Sequence, residues 1–333
     1  MDRSVDLVKK AIEFRGPERV PVSFTQFKTP GFTTDFPKVY GEDFHFVMGS
    51  AFNFNFISET QYIDEWGCIW ETFGDTMGEV KTHPLKEWED LEKLKIPDLE
   101  NPARYENQKP MIEQNQDKFK MGAIAFVLFE RMHHLRGFQQ LMEDFYLERE
   151  NVEKLGDIIV EHTIRVINTY AELGCDAIFS TDDWGVQDRL LISPKLWREI
   201  FKPRYKKIFD AAHKRNMKYI LHSCGQITDI LDDFIEIGLD VIQMDQQDNM
   251  GIDLLSERFG GRICFFCPTD IQTTLINNDK ELIEAKAKEL IEKLGKFNGG
   301  FMAKTYPQPT DIGATEESVK TMCEAFIKYG KYF

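Results

Sequence analysis

The chain lacks the features that would place it in a membrane, on nucleic acid or in an oxidising compartment. No window approaches the roughly 20 consecutive apolar residues of a membrane-spanning helix, and the opening Met1-Asp2-Arg3-Ser4-Val5 has no apolar signal core. We therefore expect a cytoplasmic protein with no membrane partner. Positive charge is short: 41 Lys and Arg against 56 Asp and Glu leave a net −15. Phosphate backbones require clustered Lys and Arg, so no nucleic-acid partner is expected, although a local basic pocket for an anion stays open. Cysteine is sparse, six in 333 residues, which reads as free thiols or ligands rather than a disulfide framework. Cys175 and Cys323 fall in helix-like stretches and read as small core residues. No G-x-G-x-x-G follows the first strand, which removes the usual support for a dinucleotide fold.

What is present builds a large core, with 42% hydrophobic and 13% aromatic residues. β-Branched and aromatic runs mark eight strands: Val20–Phe24, Phe52–Phe56, Ile124–Leu128, Ala177–Ser180, Tyr219–Leu221, Val241–Met244, Ile263–Phe266 and Gly300–Ala303. Longer periodic stretches predict helices over Val152–Leu173, Pro194–Arg215, Thr228–Ile237 and Lys280–Leu294. Gly-containing helix stops precede several strands, as in Leu173-Gly174-Cys175-Asp176. Alternation of this kind implies a parallel sheet, and eight units predict an α/β protein of the closed (β/α)₈ TIM-barrel class. Residues 1–333 read as a single barrel domain with an excursion at about 58–120 near the barrel mouth, including a hairpin over Tyr62–Glu71.

Barrels of this type gather function at the C-terminal ends of their strands. There the run Tyr219-Ile220-Leu221 ends in His222-Ser223-Cys224-Gly225. Residues two apart in an extended segment point the same way, so an imidazole and a thiol converge, a donor pair suited to a borderline-soft cation such as Zn²⁺. Cys267, ending the seventh strand, is the expected third ligand, while Cys264 should face the other side of that strand. Asp245 either ligates or orients His222. Asp182 and Asp183 are adjacent, so one faces the site as an acid/base group or charge partner and the other caps a turn. Glu130 and Tyr306 complete the candidate catalytic set, with Gln26, Trp184 and Gln187 as candidate substrate-binding residues. His133 and His134 read as helix or loop residues rather than ligands.

These residues, together with Glu18-Arg19-Val20-Pro21-Val22, Asp64-Glu65-Trp66-Gly67, Asp182-Asp183-Trp184-Gly185, Phe201-Lys202-Pro203 and Asp270-Ile271-Gln272-Thr273-Thr274-Leu275, resemble the uroporphyrinogen decarboxylase superfamily. The resemblance implies a (β/α)₈ fold. Within the superfamily, His-x-Cys-Gly is similar to the corrinoid-dependent, zinc-containing methyltransferase branch. That likeness implies transfer of a methyl group from a methylated corrinoid to a thiol or tetrahydrofolate-like acceptor. The chain has no Asp-x-His-x-x-Gly cobalamin signature, so the corrinoid would arrive on a separate partner protein; a homodimer is compatible with the family. Two departures stand out. The third Cys that the branch places after its last strand is replaced by Ala303-Lys304-Thr305-Tyr306-Pro307, and the decarboxylases' Arg-rich segment after the first strand is here Ser23-Phe24-Thr25-Gln26-Phe27-Lys28. The competing expectation is a metal-free lyase on a carboxylated, tetrapyrrole-like substrate held by acids and by Arg131 or Lys28. A non-catalytic corrinoid-binding scaffold is a third class.

Overall fold

The structure, a computed structural model, describes residues 3–49, 54–73 and 77–331. Among the described residues, twelve strands follow in chain order: β1 Val22–Ser23, β2 Phe44–Val47, β3 Phe54–Phe56, β4 Gln61–Asp64, β5 Ile69–Glu71, β6 Glu79–Thr82, β7 Phe119–Ile124, β8 Ala177–Thr181, β9 Lys218–His222, β10 Val241–Gln243, β11 Cys264–Cys267 and β12 Phe301–Lys304. Eight of them form one parallel sheet in the order β1-β12-β11-β10-β9-β8-β7-β2, with helices between, as the alternating pattern predicts for a (β/α)₈ barrel.

The two end strands meet through Asp43. Its backbone N–H donates to the Val22 carbonyl at 2.9 Å, and its carboxylate accepts from the Val22 N–H at 2.9 Å, from both Arg19 guanidinium nitrogens at 2.7 Å and from the Ser4 hydroxyl at 2.7 Å. Such a bidentate, charge-assisted arrangement is stronger than a neutral hydrogen bond. Beside it, burial and the Asp43 charge push the Glu42 carboxyl up to about 8, against the lowering effect of the Phe44 N–H. The folded chain then keeps a proton that the unfolded chain releases above its ordinary 4.5, so stability falls as pH rises from that value toward about 8. Glu42→Gln removes this loss. Its stability relative to wild type should rise between about pH 5 and about pH 8.5, read from denaturant midpoints at both pH values. An unchanged difference would contradict the assignment.

Period-2 alternation divides the core in two. Phe44, Phe119, Met121, Ala177, Ile220, Val241, Cys264, Phe266 and Met302 form the cluster inside the barrel, joined by Val8, Ala11 and Ile12 of the helix Ser4–Ile12, which packs against it. The alternate positions, among them Ile178, Tyr219, Leu221, Ile242, Phe265, Cys267 and Phe301, join the larger cluster between strands and helices.

The predicted second strand is corrected. The barrel strand is Phe44–Val47, whereas Phe54–Phe56 is the first strand of a separate antiparallel sheet, β3-β4-β5-β6; Phe52 and Asn53 lie outside the described residues. The phenyl alternation was misleading, because Phe54 and Phe56 are exposed on a strand at the edge of the small sheet. The third strand is also displaced, running Phe119–Ile124 and sharing only Ile124 with the expected Ile124–Leu128, with Phe126 at φ +55° outside extended structure. The helix expected over Pro194–Arg215 is two helices, Pro194–Ile200 and Lys202–Lys214. Pro203 lacks the N–H needed to continue a helix and sits in the first turn of the second.

The small sheet lies between β2 and β7 in the chain, and contains the expected hairpin. It packs on the segment after β7: Trp70 stacks on Phe126, with centroids 5.7 Å apart, and Asp64 meets Arg131 at 3.3 Å. Among the described residues no helix is long and apolar enough to cross a membrane.

Candidate functional site

Inward alternation along each barrel strand decides which polar side chains reach the mouth. In β9, Ile220 faces the interior, so His222 does too, and Cys224 beyond it returns to the same side, its Sγ 3.3 Å from His222 Nε2. In β8, Ala177, Phe179 and Thr181 face inward and Ile178 outward. Asp183 therefore reaches the mouth and Asp182 does not. Asp183 accepts the Cys224 N–H at 2.8 Å and lies 3.5 Å from His222 Nε2. Asp182 is wholly buried and accepts the N–H groups of Phe129 and Glu130, at 2.9 and 2.7 Å, at the start of the helix Phe129–Arg136, as well as the Tyr205 hydroxyl. It anchors the neighbouring helix N-terminus.

Among the described residues, one group of three metal-capable side chains has its donor atoms all within 4.8 Å of one another: Asp183, His222 and Cys224. Their loops are laced together. The Trp184 N–H donates to Ser223 Oγ at 3.1 Å, and the Gly185 N–H to the Cys224 carbonyl at 3.2 Å. A Cβ on Gly225, which has φ +77°, would fall 2.3 Å from the Gly185 carbonyl; only glycine allows so close a backbone approach.

Beneath the group runs a chain of buried polar side chains. The Lys304 ammonium lies 2.9 Å from Asp245 Oδ1, which also accepts from Gln243 Nε2 at 2.9 Å. Gln243 Oε1 is 2.5 Å from His222 Nδ1. Burial would raise the Asp245 carboxyl, but the Lys304 charge and His222 hold it below the ordinary value. An ionised Asp245 only accepts, so the Gln243 amide donates to it and turns its oxygen to His222. Nδ1 then carries the proton, and the Nε2 lone pair faces Cys224 and Asp183.

The electrostatics favour a cation. Burial, then Asp183, Asp245 and Glu130, push the Cys224 thiol well up, so without a positive neighbour it stays protonated. Burial and the charges of Asp183 and Asp182 raise Glu130 far above its usual range, and its Oε2 has no hydrogen-bond partner. Tyr306 is held neutral, pushed up to about 12 by burial, Asp245 and Cys224.

Three expected site residues stand apart from the group of three. Cys267 is wholly buried in the cluster between strands and helices, because Cys264 and Phe266 take the inward positions of β11; it does not join the group. Asp245 stands 4.0 Å from His222 Nδ1 and reaches it through Gln243, outside the group. Trp184 is fully buried, stacked on Phe129 at 4.5 Å and donating to the Tyr205 hydroxyl at 2.9 Å, so it has no face for a substrate. Gln26 is exposed and donates to the Phe27 carbonyl, and Gln187 is exposed and accepts from Asn249. Arg131 is buried against Asp64, over the rings of Trp66 and Phe126. His133 and His134 lie in the helix Phe129–Arg136. Gln243 and Lys304 were missed, although each shares the inward alternation of an apolar neighbour, Val241 or Met302.

Known proteins resemble this chain in sequence and in fold. A family model described as "Uroporphyrinogen decarboxylase (URO-D)" matches residues 67–325. A curated uroporphyrinogen decarboxylase from Geotalea daltonii is 22% identical over 232 residues, covering 67% of this chain and 65% of the relative. The chain thus spans a little under two thirds of that relative's length. Among solved structures, a methyltransferase from Methanosarcina mazei matches with a TM-score of 0.72 at 19% identity, covering 99% of both chains.

Proposed function

This chain belongs to the uroporphyrinogen decarboxylase (URO-D) family, and from that premise we propose that it is a cytoplasmic methyltransferase, moving a methyl group from a methylated corrinoid on a separate partner protein to a thiol with the help of Zn²⁺. The observation that carries the reading is the convergence of Asp183, His222 and Cys224 within 4.8 Å at the catalytic face of the barrel. One oxygen, one nitrogen and one sulfur donor, with the imidazole lone pair already aimed, match a three-ligand zinc site that leaves a position open. Those three residues would hold the ion, which supplies the positive charge that keeps an acceptor thiolate ionised at neutral pH.

The chain's own groups prepare the reaction. Gln243 and Asp245 fix the His222 tautomer, Tyr306 offers a neutral hydroxyl, and Glu130 holds a proton beside Asp183. In the transfer, the acceptor's S–H proton leaves to water at the open mouth and the sulfur electron pair forms the new S–CH₃ bond. The methyl–cobalt bond of the corrinoid substrate breaks, with its pair remaining on cobalt. A tetrapyrrole polycarboxylate is less well served. It would face Glu130, Asp183 and Asp245, while Lys304 is already engaged and Arg131 is bound to Asp64.

Purified protein should hold about one equivalent of zinc and demethylate methylcobalamin with an uncharged thiol as acceptor. Cys224→Ala should lower that rate on the order of 100-fold. Zinc below roughly a tenth of an equivalent after mild purification would sink the metal reading. Turnover of uroporphyrinogen that survives Cys224→Ser would favour the lyase instead.

A further inference from the structure

The barrel mouth is divided. Its β8–β12 side carries the polar chain described above. On its β2–β7–β8 side the inward positions are Phe46, Met48, Ala123, Ala125, Phe179 and Thr181, and they border a recess of about 660 Å³ counting its open face. The recess exists because the sequence puts small residues there. Deeper inward residues such as Phe44, Phe266 and Met302 are almost wholly buried, while Phe46, Ala123, Phe179 and Thr181 keep part of their surface free. Ala123 and Ala125 fill little of the space above them.

The chemistry of the walls is one-sided. Thr181 brings the one polar side chain, and its hydroxyl already accepts the Phe126 N–H at 3.0 Å. The remaining surface is phenyl, methyl and thioether. Phe46 and Phe179 meet edge to face with centroids 5.5 Å apart, and Met77 closes the rim. Aromatic faces and methionine sulfur suit a flat aromatic partner, and a carboxylate placed there would lose its hydration with the Thr181 hydroxyl as the sole side-chain donor in return. The recess adjoins the polar group: Thr181, on its wall, pairs in register with His222 across β8 and β9.

We propose that the recess binds the body of a substrate, and that this body is a neutral aromatic ring whose reacting heteroatom is turned toward Asp183, His222 and Cys224. The assignment deepens the methyl-transfer reading and rests on it only for which atom reacts; binding of the ring is read without turnover. The polar side of the mouth, where Asp183, Asp245 and Glu130 bear on the Cys224 thiol and Lys304 is already engaged by Asp245, selects against acids at the other end as well.

The test pairs toluene with benzoate, two molecules of nearly the same shape and opposite polarity. Protein carrying ¹³C-methyl methionine, its signals assigned through Met48→Leu and Met77→Leu, is titrated with each. Toluene should shift the Met48 and Met77 methyl signals in a saturable way, and benzoate should bind at least about ten-fold more weakly. Ala123→Leu, which fills the recess, should weaken toluene by a similar factor with zinc content unchanged, so that a failed metal reading and a failed recess reading are told apart. No toluene shift at those two methionines, or benzoate binding as tightly as toluene, overturns the proposal. So does undiminished toluene binding in a folded Ala123→Leu protein. If that variant does not fold, the wild-type titrations decide alone.

Discussion

Replacing His222 with alanine should weaken zinc binding on the order of 100-fold. A complete structural zinc site is worth roughly 10–16 kcal/mol spread over its ligands, so one ligand accounts for about 3 kcal/mol, or about two decades in affinity. The loss should be near its full value here because His222 is the ligand with a fixed orientation. Gln243 holds its Nδ1, and its Nε2 faces the Cys224 sulfur 3.3 Å away. Water filling the vacated space would bind the ion without that alignment. Gln243→Leu leaves all three donors in place but frees the ring, and should cost about ten-fold. Competition against a chromophoric chelator measures both. Affinity for His222→Ala within a few-fold of wild type would show that the ion, if bound, sits elsewhere.

Lys304→Met is expected to have the largest effect on stability, a loss of about 3–5 kcal/mol. The lysine ends an apolar strand, is only 9% exposed, and is bonded to a carboxylate that is 5% exposed. Removing one partner of a buried pair leaves the other's charge uncompensated, which costs far more than the pair itself contributes. Lys304→Met combined with Asp245→Asn should recover most of the loss, because the neutral amide no longer needs a cation. Denaturant midpoints of the two single variants and the double variant form the required cycle. A single-variant loss below about 1 kcal/mol would mean that the pair is hydrated and that Asp245 is not held ionised through Lys304.

The barrel was readable because six of its eight strands fall on largely apolar runs between longer periodic stretches, while β7 shares only Ile124 with the run expected for it. β2 escaped because Asp43-Phe44-His45-Phe46 mixes a charge and an imidazole with its inward phenyls, while the more regular phenyl pattern nearby belongs to an exposed edge. At the site, His222 and Cys224 were legible from two-residue periodicity at a strand end. The same rule, carried through β8, separates Asp183 from Asp182, since Ala177, Phe179, Thr181 and Asp183 share one face. Applied to β11 it sends Cys267 outward with Phe265. Position at a strand end identified candidates, but alternation along the strand chose among them. Gln243 and Lys304 were overlooked because each ends a strand whose other members read as pure core.

The contact between Gly185 and Gly225 has a consequence for how the site unfolds. Asp183 and Cys224 follow different strands, yet the turns that carry them touch backbone to backbone and share amide hydrogen bonds. Opening either turn breaks the contacts it shares with the other, so the two are expected to open together when β8 and β9 part. Fluctuations that would scatter the donor atoms are thereby tied to a costly subglobal opening. On the proposed zinc reading, an arriving cation would meet side chains whose conformational freedom was already lost when the barrel formed.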